Sequence, residues 1–449
     1  MLQAFVNSFK IPDLKKKILF TLGLIAIYRI GTYIPTPGID GAKLAQFFEQ
    51  VAKTQGGTLF GIMNMFSGGA VERLTIFALG IMPYISSSII LQLLTAVIPA
   101  LEKMAKEGEM GHRKITQYTR YGTIALAIIQ SFFISLWIED PARFGGLQIV
   151  QYPGLRFRAL TVLTLTSGTA FIMWLGEQIT EHGIGNGMSL LITVGIISRI
   201  PTALAELYFL VSPFELSRQQ ISGFTLILMA AMMVAVIVAV IVITQAARKI
   251  PVQYAKRIVG RKIYGGQNTY IPLRINQAGV IPIIFAQSII LFPATMAGLV
   301  PHPGLQSFAN LLLRGHLLYT ILYTALIIFF SFFYTAITMN PVDIADNMKK
   351  YGGFVPGVRP GSPTAEYFDY VVTRITWPGA IFLTIIAILP DFVGASLKIP
   401  YLVASFFGGT GLLIIVGVML DTMKQIESHL LMRHYEGFMK SGRLKARRA

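Results

Sequence analysis

The chain has 449 residues, of which 54% are hydrophobic and 13% charged, and its mean hydropathy is positive. Soluble domains carry about 25% charge, so this composition excludes an ordinary globular protein and predicts a polytopic membrane protein. The formal charge of +17 identifies no partner by itself, because membrane chains collect Lys and Arg in cytoplasmic loops, and the zero cysteines exclude disulfides and thiolate metal sites.

The first stretch, MLQAFVNSFKIPDLKKKILF, sets four lysines before an apolar run, as a signal peptide does. No small-residue cleavage site follows, and the run passes through Arg29 into TYIPTPGID, which predicts a retained first helix over 18–34. A short apolar piece, 59–66, is too brief to cross a bilayer and breaks at Ser67-Gly68-Gly69. After Glu72 and Arg73 comes a charge-free run over 74–101, ample for the roughly 20 residues that a spanning helix needs. It predicts a second span over 74–96 with Pro83 well inside it. Further spans are predicted over 119–138, 159–176, 183–203, 222–244, 277–298, 317–338, 376–393 and 399–420, ten in all. Arg199 interrupts the fifth as Arg29 interrupts the first. Long side chains near a helix end reach the interface, so neither refutes a span. With this count most of the 38 Lys and Arg fall on the side of the N-terminus, which predicts that both termini are cytoplasmic.

One internal echo stands out. Gly80-Ile81-Met82-Pro83 lies in the second span and Gly279-Val280-Ile281-Pro282 in the seventh, so the same Gly-x-x-Pro falls in the second helix of each five-helix half. Five is odd, so the halves, 1–215 and 216–449, enter the membrane from opposite sides, the mark of an inverted-topology repeat. Pro83 and Pro282 are expected to weaken their helices where they sit, making them movable. The cores of the clear spans lack Asp, Glu, Lys and His, which an ion-coupled carrier would hold there. Ile81 and Ile85, four apart, share a helix face. An apolar constriction of such residues excludes water and ions at rest.

The loop 248–276 alternates apolar and polar positions around Val259-Gly260 and predicts a hairpin standing off the membrane. Its basic set, Lys256, Arg257, Arg261 and Lys262, suits phosphate-rich ribosomal RNA. A second loop, 340–374, carries the turn-rich tip GGFVPGVRPG, and the basic tail RHYEGFMKSGRLKARRA fits a mobile surface element and a segment lying on anionic lipid equally well. Signals for an enzyme are poor. Gly183-x-Gly185-x-Gly187 follows no strand, there is no Walker-type Gly-Lys-Ser/Thr, and the six histidines show no ligand spacing apart from His429 and His434, read as solvated. No cofactor and no metal are expected. A gated channel for polypeptide and a secondary transporter for a small solute both fit the repeat. Missing intramembrane charge and large basic loops favour the channel, and ten spans argue against a peripheral RNA-binding protein.

The runs FALGIMPYISSSIILQLL, MNMFSGGA, MWLGEQITEHGIGNGMSLL, NQAGVIPIIFAQSIILFPAT, FFYTAI and FVPGVRPG together resemble the SecY family, the central subunits of bacterial Sec protein translocons. The likeness extends over nearly the whole chain. It implies an all-α fold of ten helices in two inverted halves around an hourglass pore, in the bacterial cytoplasmic membrane. It implies a pore ring of Ile81, Ile85, Ile192, Ile284 and Ile414, and a plug over about 59–74 that includes Met63, Asn64, Met65, Phe66, Ser67, Gly68 and Gly69. It also implies a lateral gate, spans two and three facing seven and eight, that releases signal sequences and membrane helices into lipid. Arg359 matches the position that a motor and the ribosome need. The implied partners are SecE and SecG, the SecA ATPase, the ribosome, signal peptides and nascent chains. The stretch 299–318 matches no motif of the family.

Overall fold

A computed structural model describes residues 11–54, 64, 67–144, 146–211, 222–254, 257–259, 262–264, 268–299, 302–312, 316–397, 399 and 401–441. In chain order the helices are α1 (Pro12–Gly31), α2 (Gly41–Thr54), α3 (Met82–Val97), α4 (Pro99–Lys106), α5 (Glu109–Ile138), α6 (Leu155–His182), α7 (Gly187–Ile197), α8 (Ile200–Val211) and α9 (Gly223–Gln245). Strands β1 (Ala247–Tyr254), β2 (Arg257–Val259), β3 (Lys262–Tyr264) and β4 (Asn268–Arg274) follow. Then come α10 (Ile281–Leu299), α11 (Pro303–Leu311), α12 (Leu317–Thr338), α13 (Pro341–Lys350), β5 (Gly353–Phe354), α14 (Ser362–Leu397), α15 (Tyr401–Phe407) and α16 (Thr410–Ser441).

Among the described residues eight helical segments are long and apolar enough to cross a membrane, or nine if α3 and α4, bent by 100°, form one span. The 20-residue α1, which carries Lys15, Lys16 and Lys17 near its start, completes the ten. The apolar surface these helices leave open belongs to a membrane protein. Only Met229, Val236 and Val240 of α9 are buried, while Ile227, Val234, Val238 and Val242 are more than half exposed. In water such a face would drive aggregation; in lipid it is the solvated face.

The chain divides into two compact units. One comprises Met1–Phe209, Leu291–Leu313 and Ile414–Ala449, the other Leu210–Ile290 and Arg314–Leu413. In the first, α1 buries Leu14, Ile18, Thr21, Leu24, Tyr28 and Gly31, a single stripe at helical spacing. The neighbours α5 and α6 are pinned at both ends by ion pairs. Arg120 Nε meets Glu177 Oε1 at 2.8 Å, and Arg158 Nε meets Glu139 Oε2 at 2.7 Å, where the other Glu139 oxygen accepts the Gly154 N–H at 2.9 Å. Near the start of α2, the Ala42 and Lys43 N–H groups donate to Asp40, and the bond from Lys43 holds its carboxyl below the usual carboxylate range.

The Gly183-x-Gly185-x-Gly187 loop is a joint between helices. Its amides, which in a phosphate loop would face a ligand, are taken by side chains. Ile184 N–H donates to Thr21 Oγ1 (3.1 Å), Gly185 N–H to Gln425 Oε1 (2.8 Å) and Gly187 N–H to Thr180 Oγ1 (2.9 Å). Ile184 packs with Leu14, Ile18 and Ile426 beneath it, so α1, α6, α7 and α16 meet at this loop.

Candidate functional site

The segment leading into α3 is the unusual part of the first unit. Its apolar sequence predicted a helix from residue 74, but residues 67–81 form successive turns and α3 begins only at Met82. The backbone explains the difference. Leu74 has φ +39° and Gly80 φ +56°, conformations that a right-handed helix cannot include. Residues 74 and 76 pair outward instead: Thr36 N–H donates to the Leu74 carbonyl and Ile76 N–H to the Ile34 carbonyl, each at 3.0 Å. Ser67, Gly68, Ala70, Val71, Leu74, Thr75, Phe77, Ala78, Leu79, Gly80 and Ile81 are buried. Irregular backbone within a membrane protein is tolerated where protein covers it, and protein covers these turns. At 16 residues α3 rises only about 24 Å, short of the roughly 30 Å hydrocarbon core.

Close packing fixes the turns. A Cβ on Gly168 of α6 would lie 1.9 Å from the Ile76 carbonyl oxygen. We therefore expect Gly168→Val to push α6 off the turns at a cost of about 1–3 kcal/mol, read as a lowered melting temperature of the purified protein in detergent.

Asn64 and residues 67–72 are tied together by hydrogen bonds. Gly69 N–H donates to the Asn64 carbonyl at 2.9 Å, Val71 N–H to Ser67 Oγ at 3.3 Å, and Glu72 N–H to Asn64 Oδ1 at 3.1 Å. Arginines from two spans reach them. Arg199 Nη1 lies 3.0 Å from Glu72 Oε2, and Arg29 Nη1 donates to the Gly68 carbonyl at 3.3 Å. Hydropathy alone read both as side chains reaching for the interface.

In the second unit the two predicted loops build one object. β1 pairs antiparallel with β4 over seven residues, Ala247↔Arg274 to Gln253↔Asn268, and β2 pairs antiparallel with β3 in the register Val259↔Lys262, as a hairpin requires. The unforeseen element is β5, which brings the second loop onto β1 through Gln253↔Phe354 and Tyr254↔Gly353. β1 alternates, with Ile250 and Val252 buried against Leu273, Met348, Val355, Phe368 and Val371. Pro272 is tolerated because β4 is an edge strand. Beyond β5 the tip turns through Gly357 (φ +86°) and Gly361 (φ +106°), and the Arg359 carbonyl accepts Thr364 Oγ1–H at 2.8 Å. The Arg359 side chain is exposed, as are those of Arg248, Lys249, Lys349 and Lys350.

The SecY family model matches residues 75–423. The chain belongs to the SecY family. The protein translocase subunit SecY of Streptomyces galbus is 51% identical over 451 residues, covering 98% of this chain and all of the relative. A SecY-like fold is also found in solved structures. One, described as a protein conducting channel, has a TM-score of 0.63 at 17% identity, and Sec61 in the canine ribosome-channel complex from the endoplasmic reticulum has 0.59 at 16%; each match covers 92% of both chains.

The residues that the SecY resemblance singled out fall as follows. Ile81, Ile85, Ile192 and Ile414 lie in the first unit and Ile284 in the second, none more than 6% exposed. Ile81 is the N-cap of α3, and the Ile85 N–H donates to its carbonyl at 3.0 Å, one turn on. Asn64 and Ser67 are buried, with Gly68 and Gly69 between the two arginines. Met63, Met65 and Phe66 lie outside the described residues, as do Lys256 and Arg261; Arg257 and Lys262 sit in β2 and β3.

The expectation for Pro83 and Pro282 needs correcting. Neither interrupts a helix: each is the second residue of its own, α3 and α10. A first turn needs no donor at that place, so proline starts a helix there at little cost. The Gly-x-x-Pro echo is therefore a repeated helix start, with Gly80 at φ +56° and Gly279 at φ +62° turning the chain two residues before each helix begins. Interior prolines are elsewhere: Pro293 in α10, and Pro378 and Pro390 in α14.

Proposed function

We infer that the chain is the channel subunit of a Sec translocon, passing unfolded polypeptide across the bacterial cytoplasmic membrane and releasing membrane helices sideways into lipid. The observation that carries this reading is the run of buried turns at 67–81 ahead of α3, covered by protein in a chain of the SecY family. A carrier of small ions would need titratable groups in its span cores, whereas a resting polypeptide channel needs a seal. In this reading Ile81, Ile85, Ile192, Ile284 and Ile414 form the apolar waist and the segment about 59–74, with Asn64, Ser67, Gly68 and Gly69, is the plug beside it. The halves 1–215 and 216–449 are the two inverted repeats, and both termini are cytoplasmic. Spans two and three part from spans seven and eight to let a signal peptide into lipid.

The reading has no catalytic residues, so the driving force comes from outside. The sheet of β1, β4 and β5, with the β2–β3 hairpin and Arg359, is the cytoplasmic platform on which a SecA motor or a ribosome acts. Basic groups on a rigid sheet suit ribosomal RNA, and the fold neighbour in the canine ribosome-channel complex supports that partner. SecE and SecG are the expected small membrane subunits.

The test uses the cysteine-free chain directly. Single cysteines at Ile81, Ile192 and Ile284 are expected to crosslink to a stalled secretory chain with a cysteine-reactive probe. Labelling at lipid-exposed Val238 but at none of the three would overturn the proposed route.

A further inference from the structure

Arginine within a spanning segment is costly in lipid and is normally aimed at a partner or a cavity. Two of this chain's span arginines, Arg29 and Arg199, share a target. Arg29 lies in the last turn of α1, and Arg199 at the junction of α7 and α8. Both converge on the same few residues. Arg199 Nη1 and Asn64 Nδ2 share one carboxylate oxygen, Glu72 Oε2, at 3.0 and 2.9 Å, and the Glu72 N–H returns a bond to Asn64 Oδ1. The Gly68 carbonyl accepts Arg29 Nη1–H at 3.3 Å, and Ser198 Oγ, whose proton goes to the Gly195 carbonyl at 2.7 Å, lies 3.4 Å from it. The fit is tight. A Cβ on Gly68 would stand 2.8 Å from Arg29 Nη1 and 3.0 Å from both the Gly195 Cα and Ser198 Oγ. The Arg199 and Glu72 side chains are only 18% and 28% exposed, so the pair is largely withdrawn from water.

We propose that Arg199, helped by Arg29, positions Asn64 and residues 67–72, and that the Arg199–Glu72 pair sets how strong a signal sequence must be to open the channel. The proposal rests on the plug reading above and assigns its fastening to specific groups. A partly buried ion pair holds asymmetrically. Parting the two groups exposes each to a poorly solvating environment, and deleting either leaves the other unpaired. A signal sequence that displaces the segment must supply that difference. A weak signal supplies too little, so the pair acts as the threshold. Asn64 keeps the Glu72 carboxylate aimed at Arg199, which makes it a second positioning residue.

The test reconstitutes the full chain with its membrane subunits and compares wild type with Arg199→Gln, Glu72→Gln, the double variant, Arg199→Lys and the exchanged pair E72R/R199E. Two readouts apply: resting ion conductance in planar bilayers, and export of a substrate with a crippled signal sequence. Either glutamine variant is expected to raise both about tenfold, the shift that losing roughly 1.4 kcal/mol of closed-state preference gives. The double variant should add little to the single ones. Arg199→Lys, which keeps a charge within reach, and the exchanged pair should move both readouts back toward wild type. A merely structural role for Arg199 would not be restored by exchange. Additive single effects, or conductance and signal selection unchanged in all variants that assemble, overturn the proposal. Export of an intact-signal substrate by the wild-type channel is the internal control. Its absence would strike at the channel reading, whereas unaltered variants beside a working wild type strike at the latch alone.

Discussion

Replacing Ile81, Ile85 and Ile192 together by serine is expected to make the resting membrane leak ions, raising conductance by roughly tenfold or more over wild type. Ile81 and Ile85 stand one turn apart at the start of α3, and Ile192 lies in the middle of α7, which the Asn186 side chain caps by accepting the Ser189 N–H at 3.2 Å. Each is at most 6% exposed, so none is spent on lipid. Serine keeps the backbone but brings a hydroxyl that holds water, and a wetted constriction conducts. The measurement is single-channel recording of the reconstituted complex without substrate. Conductance equal to wild type would remove the seal. Isoleucine-to-leucine variants at the same places should stay tight, since they conserve apolar volume.

The second large effect is expected outside the membrane. Arg359→Glu should reduce motor-driven export by about a hundredfold while assembly with the small membrane subunits stays normal. The reason lies in what holds that tip. Its backbone is fixed by the Thr364 hydroxyl on the Arg359 carbonyl and by left-handed Gly357 and Gly361, while the guanidinium itself projects into solvent. With the proposed docking, reversing this exposed charge would turn an attractive contact into a repulsive one, which at a desolvated centre costs a few kcal/mol. ATP-dependent uptake of a secretory precursor into vesicles measures it. Export at the wild-type rate would show that the motor docks elsewhere.

Much of the fold was legible because lipid imposes a simple rule: a long apolar run must be helical. That rule placed α5, α6, α9, α10, α12 and α14 from composition, and period-two alternation placed the hairpin at Val259. It failed at 67–81 for a physical reason. Hydropathy registers that Leu74, Phe77 and Leu79 avoid water but not that protein, rather than lipid, covers them, and only in lipid is a helix obligatory. The same blindness put Pro83 inside a helix that it in fact starts. β5 could not be foreseen, since two residues of a turn-rich loop carry no strand signal and their partner, β1, lies far away in sequence. Arg29 and Arg199 were visible as anomalies, yet their common target on 64–72 appears only when the spans are folded together.

The uneven seams of the small sheet carry a mechanical consequence. β4 is stitched to β1 along seven residues and β5 along two, so tension applied at the Arg359 tip peels the short seam before the long one gives. A partner that pushed there would meet a stiff strut and one that pulled a tear strip, so the two directions of force would reach the spans through different paths.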